Sequence, residues 1–266
     1  MKHFPNAKRQ AEELLCDVLN CSRSDLYVNH NRLLDEKQWT IVQDWVNRRL
    51  QGVPLAYLSG KVQFYHCSLI VTPEVLIPRP ETEVLVDKIV QDLKNQDLKD
   101  KILLDLCCGS GCIGIALKKR FPALSVYLSD YSSEAIALAK QNAKINQVEV
   151  TCLVGDLLSS FTPRKAHYIV CNPPYISEEE YNRLDREVKD FEPKVALLAG
   201  NTGLEIYEQL ARELPACLYP GAQIWFEIGY RQGKMLNEIF RNAGWKNQRV
   251  ENDWAGHNRF FFLENE

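Results

Sequence analysis

The sequence predicts an α/β protein in which a small N-terminal helical domain and a β-hairpin linker precede an open, mostly parallel β-sheet. Two observations carry this prediction. From about residue 101 onward, strand-like and helix-like stretches alternate along the chain, which is the pattern of a parallel sheet with helices on both faces. Before that point, apolar residues recur mainly at helical spacing. We therefore expect a helical domain over 1–70, a linker and hairpin over 71–80, and the sheet domain over 81–266.

Two helices are indicated in the N-terminal domain. Alanine and leucine residues recur at helical spacing between Ala7 and Leu19. Asp35 and Gln38 are spaced as in a capping box, and Gly52 suits the C-terminal stop of the helix that would follow. Acidic and basic residues are nearly balanced in this domain, which argues against a module that reads DNA.

The linker region is rich in β-branched residues. Residues 62–77 fit a hairpin or a pair of short strands. Pro78 and Pro80 interrupt the pattern, because proline fixes φ and lacks a backbone N–H group. A helix that connects the two domains is then predicted from about Glu81.

In the sheet domain we predict five strands that alternate with helices. The strands fall at 102–106, 125–129, 148–154, 167–171 and 222–228, and the helical patterns at 112–120, 132–146, 203–214 and 231–243. Two further β-like runs follow, at 247–251 and 257–263. Ligands of such sheets bind beyond the carboxyl ends of the strands, so the loops that follow strands are the first candidates for function.

The composition is that of an ordinary globular protein, with 45% hydrophobic and 25% charged residues among 266. It excludes a disordered chain and a disulfide-dense mini-protein. The net charge of −3 lacks the basic field of a typical nucleic-acid binder. The nine cysteines contain no Cys-x-x-Cys pair, so we expect reduced thiols and no metal site. Because no signal core or long apolar stretch is evident, we expect a cytoplasmic protein.

The loop after the first strand of the sheet domain is the first candidate site. Gly109 and Gly111 allow a tight turn that brings the backbone close to a ligand, and the helix N-terminus that follows favours an electronegative group. Asp130 ends the next strand, about 20 residues later, where a carboxylate can accept both hydroxyls of a ribose. Together these features predict a cofactor that contains adenosine.

Two such cofactors compete for this loop. The spacing Gly109-x-Gly111-x-x-Gly114 matches the dinucleotide pattern, which is weak evidence alone. Asp105, however, lies just before the turn, where a carboxylate suits the ammonium and sulfonium groups of S-adenosylmethionine and does not suit a pyrophosphate. We therefore favour S-adenosylmethionine; a glycine-containing connection without a ligand is the remaining alternative.

The second candidate site follows the strand at 167–171 and has the sequence Asn172-Pro173-Pro174-Tyr175. Proline forces the residue before it into an extended conformation, so Asn172 is held stiffly at the carboxyl edge of the sheet. A rigid polyproline connector is the alternative interpretation. The position of the segment in the strand–helix order favours a functional site.

The chemistry of this tetrapeptide suits methylation of a planar NH₂ group. An amide nitrogen is a poor nucleophile because its lone pair is delocalised. The Asn172 side-chain oxygen and the Pro173 carbonyl can accept one N–H each, and both hydrogen bonds strengthen as the nitrogen becomes positive. Tyr175 can stack on the planar group. We therefore predict Asn172, Pro173 and Tyr175 as catalytic residues.

At this point the motifs resemble those of class I amino-methyltransferases, whose members methylate DNA adenine, RNA guanine or protein glutamine. Further stretches are closely similar to the PrmC/HemK family of peptide chain release factor N5-glutamine methyltransferases, and the similarity covers nearly the whole chain. They are Arg48-Arg49, 52–60, 75–83 with Ile-Pro-Arg-Pro-Glu-Thr-Glu, Phe191-Glu192-Pro193, Phe226-Glu227-Ile228-Gly229, and Asp253 to Arg259. The resemblance implies a class I Rossmann-like, seven-stranded methyltransferase domain, a small N-terminal helical domain for substrate recognition, and a hairpin linker.

The resemblance also implies an activity and a set of binding residues. The activity is methyl transfer from S-adenosylmethionine to the glutamine side chain in the Gly-Gly-Gln motif of class-I release factors. The glutamine pocket would be formed by Asn172, Pro173, Pro174 and Tyr175. The implied cofactor-binding residues are Asp105, Cys107, Cys108, Gly109, Ser110, Gly111, Asp130, Asp156, Leu157 and Asn172.

Two positions depart from the family pattern. Leu157 stands where some relatives carry an aromatic residue, so stacking on the adenine is in doubt there. Cys107 stands where relatives usually carry glycine. We expect either a negative φ at Cys107 or a slightly displaced loop, and we expect Cys107 and Cys108 to be inert thiols rather than a redox pair.

Several alternatives stay open. A glutamine methyltransferase of a ribosomal protein usually carries a Ser-Pro-type segment in place of Arg79-Pro80. A DNA or RNA amino-methyltransferase would bring a recognition domain or a basic surface. An NAD-dependent oxidoreductase leaves 172–175 unexplained, and a non-enzymatic adaptor leaves the reactive groups without use. We expect a monomer whose partners are release factors, with no membrane and no direct nucleic acid.

Overall fold

The computed structural model describes residues 6–161 and 165–266, so residues 1–5 of the predicted N-terminal domain lie outside the described residues. Helices α1–α11 are, in order, Ala7–Leu19, Arg23–Val28, Glu36–Leu50, Leu55–Ser59, Pro80–Leu93, Cys112–Arg120, Ser133–Ile145, Glu178–Asn182, Arg186–Phe191, Glu205–Glu213 and Gly233–Asn242. Strands β1–β11 are Lys61–Phe64, Cys67–Ile70, Ile102–Leu106, Ser125–Asp130, Thr151–Val154, Ala166–Cys171, Ile176–Ser177, Leu198–Gly200, Leu218–Glu227, Asn247–Asn252 and Asn258–Glu264. Two 3₁₀ turns cover Lys194–Ala196 and Leu214–Cys217.

Seven strands of the described chain form one sheet in the order β10–β11–β9–β6–β3–β4–β5. The strands from β9 to β5 are parallel, and β11 and β10 add an antiparallel edge. Successive side chains of a strand point to opposite faces, so Leu103 packs in a cluster with α5, α6 and α7, while Leu104 packs in a cluster with α10 and α11. The predicted seven-stranded α/β fold is confirmed.

The N-terminal helices begin where the sequence predicts. Helix α3 contacts the sheet domain through the buried side chain of Arg49. The Asp35 carboxylate accepts from the Gln38 N–H at 2.8 Å, and the Gln38 side chain accepts from the Asp35 N–H at 3.1 Å, which completes the capping box. Arg49, near the end of α3, has a side chain that is only 4% exposed and donates to the Glu187 carboxylate on α9 at 2.7 Å. This ion pair joins the two parts of the chain.

The hairpin consists of β1 and β2, which lie almost entirely within the stretch 62–77 predicted to form a hairpin or a pair of short strands. Tyr65 and His66 turn it with φ of 41° and 63°, a pair of positive angles that suits the right-handed twist of the strands. The segment 71–80, predicted to hold the hairpin, forms no strand among the described residues. Instead, Val71 and Val75 pack against α7, because their side chains find a buried apolar surface there. The domain limits at 70 and 80 stay a prediction.

Asn142 ties the hairpin to the first candidate loop. It lies on α7 and is fully buried. Its Nδ2 donates to the carbonyls of Ile70 at 3.0 Å and Ser110 at 2.9 Å, and its Oδ1 accepts from the Ile70 N–H at 2.7 Å. One side chain therefore makes hydrogen bonds to three backbone groups of two separate segments.

Replacing Asn142 by alanine is expected to lower the free energy of unfolding by about 2–4 kcal/mol, because a buried polar group without a partner costs about 1–3 kcal/mol. Urea unfolding followed by circular dichroism measures the change. Gln141→Ala, at an exposed neighbouring position of the same helix, is the control and should stay near wild type. Equal stability of the two variants would contradict the role of Asn142.

Candidate active site

A cavity of about 310 Å³ opens at the carboxyl ends of β3, β4 and β6. Most of the predicted cofactor residues line it, together with residues 74–76, Pro78 and Arg79. The predicted residues that line it are Cys107, Cys108, Gly109, Ser110, Asp130, Asp156, Leu157, Asn172 and Pro174. Asp105, Gly111, Pro173 and Tyr175 are not among the residues that line it. The structure thus brings the two candidate sites, predicted separately from the sequence, to one cavity.

The glycine loop between β3 and α6 has the left-handed backbone that its sequence suggests. Gly109 and Gly111 have φ of 53° and 79°. A Cβ added to Gly109 would meet no atom within 4 Å, whereas one added to Gly111 would lie 2.9 Å from Ile115 Cδ1. Gly111 is therefore required by packing, and Gly109 leaves open space beside the cavity for a ligand.

Of the two alternatives expected at Cys107, a negative φ or a slightly displaced loop, the structure contradicts the negative φ. Its φ is 54°, a conformation that costs an L-residue with a side chain roughly 1–2 kcal/mol. Its thiol contacts the thiol of Cys171 on β6 and packs against the core beneath the loop. Burial and this neighbour raise the pKa of Cys171. The loop therefore keeps the glycine-like turn, and side-chain packing offsets its strain.

Asp105 lies beneath the glycine loop, nearly fully buried. Its Oδ2 accepts from the Gly114 N–H at 2.8 Å, and its Oδ1 has no hydrogen-bond partner within 6–161 and 165–266. Burial raises the pKa of the Asp105 carboxyl to about 8. An acceptor without a partner next to the loop fits a cofactor with a cationic group. Direct contact between Asp105 and the cofactor stays a prediction.

The wild-type protein is expected to lose stability as pH rises because of Asp105, and Asp105→Asn is expected not to show this loss. Between the usual pKa of an aspartate and about 8, the folded protein binds a proton that the unfolded chain releases, so this contribution to stability falls with increasing pH. The difference in the free energy of unfolding, variant minus wild type, should increase by roughly 2–5 kcal/mol between pH 5 and pH 9. Urea titrations measure it, with exposed Asp97→Asn as control; parallel pH curves would contradict the raised pKa.

Asp130 ends β4 with its carboxylate fixed by backbone N–H groups. Oδ2 accepts from Gly109 at 2.8 Å, and Oδ1 accepts from Ser132 at 2.9 Å. Burial raises the pKa of Asp130, and these hydrogen bonds oppose the rise. Each oxygen keeps a second lone pair, so the group can accept ribose hydroxyls in the cavity. Asp156 and Leu157 border the same cavity after β5.

The segment after β6 contains Asn172, which lines this cavity, and Tyr175, which does not. Asn172 Nδ2 donates to Thr82 Oγ1 at 3.5 Å. The Tyr175 carbonyl accepts from Gln232 Nε2 at 2.9 Å, and Arg259 Nη1 lies 3.4 Å from the Tyr175 hydroxyl. Burial raises the pKa of Tyr175 to about 12, so the phenol stays neutral. That the Asn172 oxygen and the Pro173 carbonyl accept from a substrate amide stays a prediction.

Two buried groups at this site were named in the sequence motifs without a role. Thr82 is the third residue of α5 and lines the cavity, and Glu227 is the last residue of β9. The Thr82 hydroxyl donates to Glu227 Oε2 at 2.7 Å. Their contact joins positions 145 residues apart in the chain, and no local pattern in the sequence indicates it.

Other kinds of site find no support in the described residues. Within them, no cluster of three or more His, Cys, Asp or Glu residues could hold a metal ion. No helix of the described ranges is long and apolar enough to cross a membrane.

The parallel sheet, the glycine loop with Asp130 and the shared cavity fit an S-adenosylmethionine-dependent methyltransferase of the class I fold, and similar proteins show that this is the class. A family model described as "Methyltransferase small domain" matches residues 81–188. A methyltransferase from Pyrococcus furiosus has a TM-score of 0.54 at 16% identity, over 74% of this chain and 88% of that one. A Thermus thermophilus 16S rRNA N2 G1207 methyltransferase, solved with AdoMet and guanosine, gives 0.56 at 15%, over 77% and 50%. At these identities the likeness shows the fold.

The particular family follows from closer relatives. A model described as "PrmC N-terminal domain" matches residues 1–60. A release factor glutamine methyltransferase from Chlamydia trachomatis is 42% identical over 99% of this chain and 88% of its own length. One from Koribacter versatilis is 38% identical over 95% and 89%, and one from Bacillus anthracis is 38% identical over 95% and 91%. The chain belongs to the family of release factor glutamine methyltransferases, as its motifs indicated.

Proposed function

We propose that this chain methylates the N5 amide nitrogen of the glutamine in the Gly-Gly-Gln motif of class-I peptide chain release factors. The observation that carries the proposal is the position of Asn172, whose side chain borders the same cavity as Asp130. An acceptor for a planar amide therefore lies beside the pocket for the cofactor. Family membership supports release factors as the substrate class.

In this proposal the chain binds and orients, and S-adenosylmethionine supplies an activated methyl group when bound. Asp130 and the glycine loop hold the adenosine end of the cofactor. The Asn172 oxygen and the Pro173 carbonyl each accept one N–H of the substrate amide. Both hydrogen bonds gain strength as the nitrogen takes up the methyl group and becomes positive, which stabilises the transition state more than the ground state. The methylated nitrogen then loses one of its two protons to solvent, which leaves a neutral N-methyl amide as the product.

Transfer of labelled methyl from S-adenosylmethionine to an intact release factor tests this function. A release factor with Gln→Glu in its Gly-Gly-Gln motif runs beside it, with ribosomal protein and DNA as competing substrates. Label on the intact factor, located to that glutamine and absent from the variant, is the expected result. Label only on ribosomal protein or DNA would keep the methyltransferase and discard the proposed substrate. A monomeric state, a cytoplasmic location and the lack of direct nucleic-acid contact stay predictions.

A further inference from the structure

The start of α5 and the end of β9 place a buried hydroxyl and a buried carboxylate behind Asn172. Thr82 and Glu227 are each 2% exposed. The Thr82 hydroxyl donates to Glu227 Oε2 at 2.7 Å, and the Asn172 Nδ2 lies 3.5 Å from Thr82 Oγ1. The three side chains therefore form a line from the core to the cavity.

The direction of the protons along this line follows from the donor inventory. An ionised carboxylate only accepts hydrogen bonds, and a threonine hydroxyl has one proton to donate. While Glu227 is ionised, that proton points to Glu227, so the Thr82 oxygen can only accept from Asn172. The NH₂ of Asn172 must then face Thr82. A flipped amide would set the Asn172 oxygen against the Thr82 oxygen with no proton between them.

We propose that Thr82 and Glu227 are positioning residues that hold the Asn172 amide with its nitrogen toward α5 and its oxygen free for the substrate. The inference rests on the proposed function, because it concerns how the acceptor for the glutamine N–H is oriented. It gives the buried hydroxyl of Thr82 and the buried carboxylate of Glu227 a role at the site.

The surroundings of Glu227 make its burial costly. A carboxylate removed from water must be compensated by hydrogen bonds or cations. Burial raises the pKa of Glu227 to about 7, while the Thr82 hydrogen bond and the charge of Arg259 oppose the rise. The titratable and charged groups that act on Glu227, or on which it acts, are Arg79, Glu81, Cys112, Tyr175, Tyr207 and Arg259. The hydrogen bonds from Glu227 through Thr82 to Asn172 connect this buried carboxylate to the proposed acceptor of the substrate amide.

Thr82→Val and Thr82→Ser distinguish the effect of losing the hydroxyl from the effect of changing the side-chain shape. Thr82→Val keeps the volume and removes both hydrogen bonds; we expect kcat to fall about tenfold, with KM and the Kd of S-adenosylmethionine within about twofold of wild type. Thr82→Ser restores the hydroxyl and should recover most of the turnover. Thr40→Val, on the exposed face of α3, is the matched control. Wild-type kcat in Thr82→Val, in an enzyme that methylates the glutamine, would overturn the proposal.

The pH profile supplies a second readout. Protonated Glu227 can donate to Thr82, which frees the Thr82 proton to bind a flipped Asn172 oxygen. The wild-type kcat should therefore fall as pH drops below about 7. Glutamine can donate as well as accept, so Glu227→Gln should lower kcat several-fold at pH 8 and remove this inflection. Persistence of the inflection in Glu227→Gln would count against the assignment.

A measurement on the free enzyme tests the orientation without any substrate. The Asn172 side-chain NH₂ signals in a ¹⁵N-labelled protein are identified by their loss in Asn172→Ala. We expect the hydrogen that faces Thr82 to exchange slowly in wild type and Thr82→Ser and to lose this protection in Thr82→Val. Equal exchange in all three proteins would overturn the inference even if the glutamine is methylated. If the exchange of the Asn172 hydrogen depends on Thr82 but the enzyme does not methylate release factors, the inference stands and the proposed substrate is discarded.

Discussion

Asn172→Ala is expected to lower the rate of methyl transfer by roughly 10²–10³-fold, the usual effect of removing one preorganised polar contact from a transition state. Asn172 is only partly buried and donates to Thr82, so the truncation creates no large cavity. The fold should survive, and the thermal unfolding midpoint should stay within a few degrees of wild type. A single-turnover assay with saturating S-adenosylmethionine measures the chemical step without product release.

The control for this variant is Asn182→Ala on α8. Its side chain is exposed and donates to the Glu178 carbonyl one turn earlier, so its loss should leave the single-turnover rate unchanged. A near wild-type rate in Asn172→Ala would remove this residue from the catalytic groups. The Pro173 carbonyl would then be the remaining acceptor predicted for the substrate amide.

Much of the sheet could be predicted because its strands carry a local signal. β3 was predicted without error, and β4 and β6 to within one residue, since each is a short apolar run closed by a polar or proline-containing loop. β5 begins later than predicted. The Val148 N–H donates to the Ala143 carbonyl and completes the end of α7, so residues before Thr151 are used as a helix cap. Periodicity alone cannot show that a backbone group is already satisfied.

The sequence predicts the two motifs of the site but not the contacts between side chains that are distant in the chain. The glycine loop and the segment after β6 are continuous in sequence, and each carries its own motif. Cys107 has a left-handed backbone, and its thiol contacts that of Cys171, which belongs to another strand. The hydrogen bond between Thr82 and Glu227 depends on how α5 lies against the end of β9. Contacts of this kind arise from tertiary packing, which a pattern along one chain does not contain.

Asp130→Ala is expected to weaken the binding of S-adenosylmethionine at least about 100-fold, because each hydrogen bond to a charged group contributes about 1.5–3 kcal/mol and two ribose hydroxyls lose their acceptor. The change should act mainly on the cofactor Kd, measured by isothermal titration calorimetry. Glu149→Ala, an exposed acidic position shortly before β5, is the control for a lost charge. Unchanged cofactor affinity in Asp130→Ala would contradict the assignment.

Asp130→Asn is the sharper variant, because the structure makes this substitution non-conservative. Both carboxylate oxygens accept from backbone N–H groups, one from Gly109 and the other from Ser132. Asparagine has one oxygen and one NH₂ group, so one of these N–H groups would face another donor. We therefore expect the variant to displace either the glycine loop or the start of α7, and to lose at least about tenfold in cofactor affinity. Wild-type affinity in Asp130→Asn would show that the hydrogen bonds from Gly109 and Ser132 do not shape the pocket. The rest of the glycine loop would then have to hold most of the cofactor.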